Sequence, residues 1–181
     1  MARSSDTKQR ILDTARELFA RKGVRQTSLQ EIAGQLGITK AALYYHFTSR
    51  EELIRDIMAP LIEDGETFVR GQEALARVRP RALLEGYFDF NIRHRADIVL
   101  VLTELTTLAE LGLVDTVIAW RERLSVLLFG PEPSLAEATR AVLALGGLQD
   151  CTIHFADAQE DELRTAAVNA ACSALNINDP T

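Results

Sequence analysis

Cysteine and histidine are scarce in this chain: 181 residues hold two of the first and three of the second. Cys151 and Cys172 fall at neither a paired metal spacing nor a disulfide framework. His46 has no second ligand close to it in the sequence. Neither a metal nor a cofactor is therefore expected. A glycine-rich phosphate loop is missing too, as is any grouping of nucleophile, base and acid, which ranks a helical enzyme far below a binding protein. Long apolar runs are absent. The longest purely aliphatic stretch is Ile98 to Leu102, far short of the roughly 20 residues a membrane span needs. Arg3, Asp6, Lys8 and Arg10 break up the N-terminal stretch that a secretory signal would require to be apolar. The expectation is a cytoplasmic protein with no membrane partner.

What is present is ordinary in amount and uneven in placement. Hydrophobic residues make up 47% of the chain and charged residues 25%, the usual range for a globular protein. The net charge of −6 hides a split. Residues 1–50 hold nine Lys or Arg against four Asp or Glu, a balance of +5, and the remainder holds eleven against twenty-two, a balance of −11. A basic head on an acidic body suits nucleic acid, although a solvated basic face would show the same asymmetry.

Apolar residues recur at helical spacing throughout. Ile11, Leu12, Ala15, Leu18 and Phe19 form one face, ended by Gly23, and Leu29, Ile32, Ala33 and Leu36 form another, ended by Gly37. Leu53, Ile54, Ile57, Met58 and Leu61 continue the pattern until Pro60 and Gly65 bend or end the helix. Capping boxes are read at Asp6 with Gln9, Ser28 with Glu31, Ser49 with Glu52, Ser134 with Glu137, and Asp157 with Glu160. Ile98–Leu102 is the one competing strand, and without a partner strand it reads as a buried helical turn. The expected fold is all-α with about nine helices: a three-helix head over 1–50 and a larger helical domain over 51–181.

Two short helices meet at Leu36-Gly37-Ile38-Thr39. Gly37 can take the left-handed conformation that reverses the chain, and Thr39 can cap the next helix. Such a turn between such helices describes a helix-turn-helix. Its second helix buries Ala42, Leu43 and Phe47 and exposes Lys40, Ala41, Tyr44, Tyr45 and His46. Lys40 can donate to guanine acceptors and the Ala41 methyl can meet a thymine methyl. Tyrosine hydroxyls, His46 and Arg50 have the reach and donors for phosphates. For Tyr44, packing against neighbouring helices weighs equally.

The stretches Thr27-Ser28-Leu29-Gln30-Glu31-Ile32-Ala33, Leu36-Gly37-Ile38-Thr39-Lys40-Ala41-Ala42-Leu43-Tyr44-Tyr45-His46-Phe47 and Ser49-Arg50-Glu51-Glu52-Leu53 together resemble the signature of TetR-family (TetR/AcrR-like) transcriptional regulators. The likeness extends upstream through Arg10-Ile11-Leu12-Asp13-Thr14-Ala15 and covers about a third of the chain. It implies that Ser28 starts the second helix beside a phosphate and that Gln30 reaches DNA. Thr39, Lys40 and Ala41 would face bases, and Tyr44, Tyr45 and His46 would hold the backbone. Where the family often has lysine this chain has Arg50, which keeps the charge and can clamp a phosphate in two places.

The resemblance also implies an all-helical ligand-binding and dimerisation domain beyond residue 50. Small residues crowd two late helices, about 135–156 and 160–175: Ala138, Ala141, Gly146 and Gly147, then Ala166, Ala167, Ala170, Ala171 and Ala174. They suit a homodimer built through these helices, or close packing within one subunit. Phe68, Phe88, Asn91, Trp120, Gln149 and Phe155, with His154, could line a site for a small hydrophobic effector, and each could equally be plain core. Cys151 reads as a buried thiol rather than a redox switch, and His94 as a partner of terminal carbonyls at a helix end. The expected function is that of a repressor binding a palindromic operator as a homodimer and released by its effector. The alternative is a DNA-binding regulator without an effector, controlled by its abundance or by a protein partner.

Overall fold

The computed structural model describes residues 2–177, and among them lie ten α-helices and no strand. They are α1 (Ala2–Lys22), α2 (Leu29–Leu36), α3 (Lys40–His46), α4 (Arg50–Glu73), α5 (Pro80–Arg93), α6 (Arg95–Thr103), α7 (Leu105–Glu110), α8 (Leu113–Phe129), α9 (Leu135–His154) and α10 (Glu160–Ala174). The extra helix relative to expectation arises at Glu104, where the backbone leaves helical geometry (φ −116°, ψ 33°) and splits the central stretch into α6 and α7. Ile98–Leu102 is helical, inside α6. Pro60 and Gly65 do not end α4, which runs on to Glu73.

Caps explain most of the boundaries. Ser28 accepts the Glu31 N–H and Thr39 the Ala42 N–H, each satisfying a donor that a helix start leaves free. Ser134 with Glu137 forms a full reciprocal capping box. Ser49 accepts the Glu52 N–H at 3.1 Å, but the Glu52 carboxylate reaches back one residue further, to the N–H and hydroxyl of Thr48, both at 2.7 Å. Two expected caps lie elsewhere. Asp6 is inside α1, which begins at Ala2, and Gln159 rather than Asp157 caps α10 by accepting the Glu162 N–H at 2.8 Å. An amide oxygen does the same work as a carboxylate there.

Two compact units emerge, the first comprising residues 1–60 with 100–114 and the second 61–99 with 115–181. In the first, α1 packs on α2 and α2 on α3. Its core is made of Ile11, Ala15, Leu18, Phe19, Ile32, Leu43, Phe47, Leu53, Ile54, Ile57 and Met58, all essentially buried. Helices of eight and seven residues are too short to persist alone, since isolated helices below about 12–15 residues are marginal in water. Burial at roughly 1.5–3 kcal/mol per large apolar side chain holds them. Lys8 pairs with Asp56 at 2.6 Å and an Arg16 guanidinium nitrogen donates to the Ile57 carbonyl at 2.7 Å, tying α1 to α4.

In the second unit α10 packs on α9 and α5, and α5 on α9. Leu83, Leu84 and Phe88 of α5, Ala141, Ala144, Leu145 and Leu148 of α9, and Ala167, Val168 and Ala171 of α10 are buried there. Alanine at these contacts lets the helix axes approach closely. Arg123 of α8 bridges Glu66 at 2.8 Å and Glu73 at 2.7 Å on α4. The Arg123 guanidinium, with help from Arg70 and the Trp120 N–H, holds the Glu66 carboxyl down to about 2. His94 ends α5, yet its ring meets carboxylates rather than carbonyls: Nε2 lies 3.0 Å from Asp64 and Nδ1 3.8 Å from Asp97. Cys172 is buried, whereas Cys151 is only half-buried, against expectation.

Candidate nucleic-acid interface

The turn between α2 and α3 is built as the sequence demands. Gly37 sits at φ +67°, ψ 27°, a conformation that costs a side-chain-bearing residue roughly 1–2 kcal/mol. Its N–H returns to the last turn of α2, closing that helix. Thr39, extended at φ −72° and ψ 152°, then opens α3.

Leu43 and Phe47 anchor α3 in the core, Ala42 is half-buried, and Lys40, Ala41, Tyr44 and Tyr45 are exposed. Tyr45 is 82% exposed, which leaves its ring free of any core role, while Tyr44 at 41% is shared between the two readings. The Lys40 ammonium lies 5.4 Å from the Tyr44 ring centroid, so the aromatic face steadies the cation on the exposed side of α3. His46, half-buried at the end of α3, stands edge-on to Tyr45 with centroids 5.3 Å apart.

A concavity of about 410 Å³ gathers residues far apart along the chain: Ser28 and Gln30 of the α2 start, Lys40 and Tyr44 of α3, and Arg50 of the α4 start. Three helix N-termini thus contribute to one face, and such ends favour anions because their N–H groups point outward. Arg50 is not wholly committed to solvent, since a guanidinium nitrogen lies 3.4 Å from the Val24 carbonyl. Thr48, Ser49 and Glu51 line the same concavity and were not among the residues expected to meet DNA. Thr48 could have been suspected as the residue beside a capping serine. Glu51 is the discordant member, an acid whose carboxyl its own N–H and the Ser49 hydroxyl hold below the usual carboxylate range. Elsewhere on the head Glu31 pairs with Lys22, which lowers the Glu31 carboxyl likewise.

The profile of the family described as bacterial regulatory proteins, tetR family, matches residues 11–57, which include α2, α3 and the start of α4. A Bacillus subtilis (strain 168) protein named as an uncharacterized HTH-type transcriptional regulator, YerO, is 36% identical over 105 residues, covering 55% of this chain and 36% of its own length. A solved transcriptional regulator of Aquifex aeolicus VF5, described as of the TerR/AcrR family, superposes with a TM-score of 0.72 at 26% identity, over 91% of this chain and 96% of the other. Residues 11–57 thus match the tetR family of bacterial regulatory proteins, and the fold of the chain is that of a solved regulator described in those terms. The curated relatives the chain matches are named as HTH-type transcriptional regulators. The matched stretches span about a third of the lengths of the curated relatives. At 22% identity, AibR, solved with isovaleryl coenzyme A and operator DNA, shares the fold with a TM-score of 0.67, over 90% of this chain and 96% of its own.

The residues expected to line an effector site divide in the second unit. Phe68 stacks on Phe90 at 6.2 Å and lies 6.3 Å from Tyr87, and Trp120 meets Phe90 edge-on at 6.1 Å. Phe88 is completely buried. Asn91 is completely buried too, donating to the Tyr87 carbonyl at 2.7 Å while its Oδ1 has no hydrogen-bond partner. Gln149 lies 3.4 Å from the Tyr87 hydroxyl. Phe155 stands outside this group, half-exposed and edge-on to His154 at 4.8 Å. Among the described residues no group of three or more His, Cys, Asp or Glu is placed to hold a metal ion. Among them, too, no helix is long and apolar enough to cross a membrane.

Proposed function

We propose that the protein is a sequence-specific DNA-binding regulator, a repressor that grips a palindromic operator as a homodimer and lets go when a small hydrophobic effector binds. The observation that carries this reading is the concavity that joins Ser28, Gln30, Lys40, Tyr44 and Arg50 on one face of the helix-turn-helix. Lys40, Ala41 and Thr39 read base edges, and Ser28, Gln30, Tyr44, Tyr45, His46 and Arg50 hold phosphates and fix the register. Residues 1–50 are the reading head and 51–181 the domain that pairs and senses. Pairing is supported by α9, which exposes Leu135 at 85%, Val142 at 70% and Leu143 at 62%. Exposed small residues lie along α9 and α10 as well: Gly147, Ala166 and Ala170. The reading is also supported by AibR, a protein of like fold solved with operator DNA and isovaleryl coenzyme A.

Effector control is supported by the unpaired Asn91 Oδ1, a buried acceptor among aromatic rings. The ring-on-ring packing of Phe68, Phe90 and Trp120 favours the second reading, in which those side chains are core and the regulator answers to its abundance or a protein partner. Melting-temperature shifts against a panel of hydrophobic acids and their thioesters separate the two, because a specific ligand stabilises the folded state by mass action.

The decisive experiment is selection of bound duplexes from a random library by the purified full chain. The expected product is a two-fold symmetric site with half-sites about one helical turn, ~34–36 Å, apart. Enrichment of nothing, together with no affinity for any duplex in dilute buffer, would remove the proposal.

A further inference from the structure

A turn of the first unit is gripped from far along the chain. After α1 ends, Gly23 reverses the backbone at φ +86° and Val24 comes next, completely buried. The Val24 N–H donates to Glu104 Oε1 at 2.8 Å, from a residue 80 positions later at the joint between α6 and α7. On its other side the Val24 carbonyl accepts the Thr27 N–H at 3.2 Å and the Arg50 guanidinium at 3.4 Å. The Thr27 hydroxyl donates to the Gly23 carbonyl at 2.9 Å. The turn is thus held at its amide by Glu104 and at its carbonyl by Arg50, and it leads directly into Ser28 and Gln30. Glycine at position 23 serves the same contact. A Cβ there would lie 2.7 Å from Glu104 Oε1, in a backbone conformation that L residues rarely adopt.

We propose that Glu104 is a positioning residue for the DNA-reading face. Its carboxylate sets the 23–27 turn, and through that turn the α2 start and Arg50, so the α6–α7 joint governs how well the face meets DNA. The inference rests on the proposed DNA-binding function and adds to it a residue that holds the reading face in shape. Its physical basis is the cost of a buried N–H left without an acceptor, which the turn avoids only by moving. Residues 100–114, with the whole of α7, belong to the same unit as the helix-turn-helix.

The test uses the full chain, a duplex enriched by the wild type from a random library, and amide exchange read at Val24. Glu104→Asp keeps the charge but withdraws it by one methylene, and Glu104→Ala removes it. Both should speed exchange at Val24 and weaken DNA binding, by about 10-fold for Glu104→Ala. Glu104→Gln keeps a carbonyl acceptor in the same place and should restore both readouts to within about threefold. Should Glu104→Ala fail to fold, Glu104→Asp against Glu104→Gln still decides. If all three bind as the wild type does, or if Glu104→Gln is as impaired as Glu104→Asp, the role is lost while DNA binding stands. A wild type that enriches no duplex sinks the DNA-binding reading, and this role with it.

Discussion

Lys40 and Arg50 share one concavity, and the proposed function gives them different tasks. Lys40 opens α3 on an exposed turn, its ammonium steadied by the Tyr44 ring, where it can reach guanine acceptors. Arg50 opens α4 and also touches the Val24 carbonyl, a position suited to a phosphate that looks the same at every base pair. Lys40→Ala should relax operator choice, costing about 1–3 kcal/mol on the preferred site and little on others. Arg50→Ala should weaken all duplexes alike and lower the salt slope by about one. Gel-shift titration of preferred and scrambled duplexes at several salt concentrations reads both, and the assigned face is wrong if neither variant changes affinity. At this scale sequence reasoning reached the polar side chains of a local motif, because its helices are consecutive and their faces are set by spacing. It missed Glu104, since nothing in the sequence links a carboxylate to an amide 80 residues earlier.

Among the helices, α4 and α8 meet where Gly65 faces the Trp120 ring, which lies so close that a Cβ would overlap three of its atoms. The sequence suggested that Gly65, with Pro60, bends or ends α4; in the structure it makes room for an aromatic neighbour, and the indole N–H donates to Glu66 at 3.1 Å. Gly65→Ala gains up to ~1 kcal/mol in helix propensity but overpacks a site where such insertions cost roughly 1–3 kcal/mol. The balance should be destabilising, with the melting temperature falling roughly 2–4 °C for each kcal/mol lost. Trp120, the single tryptophan, should report the disturbance by its fluorescence. Gly71→Ala in the same helix has open space around its Cβ and should be neutral or stabilising. A melting curve for Gly65→Ala that lies above the wild type would show that the ring yields freely. Helix boundaries were readable wherever a cap is a local hydrogen bond, as at Ser28, Thr39 and Ser134. They were misread at Asp6 and Asp157, where a neighbouring residue or a longer helix satisfied the same donors.

For the molecule as a whole, the apolar face of α9 poses the question of pairing. Leu143 is 62% exposed, so an acidic replacement disturbs little within one subunit. In a two-fold interface built on α9 it would be buried once from each subunit, so the charge is introduced twice. The wild type should sediment as a dimer at micromolar concentration, and Leu143→Asp should sediment as a monomer with unchanged helix content and a much weaker grip on a palindrome. A wild-type monomer under those conditions would end the two-fold reading. Fold class, α3 and the turn before it were legible in the amino-acid order because each rests on interactions within a few residues: apolar periodicity, caps and one left-handed glycine. The partition into units, the place of Glu104 against Val24 and the fate of the aromatic residues were not. These depend on segments distant in the chain meeting in space, and such meetings are chosen by the packing of all the helices at once.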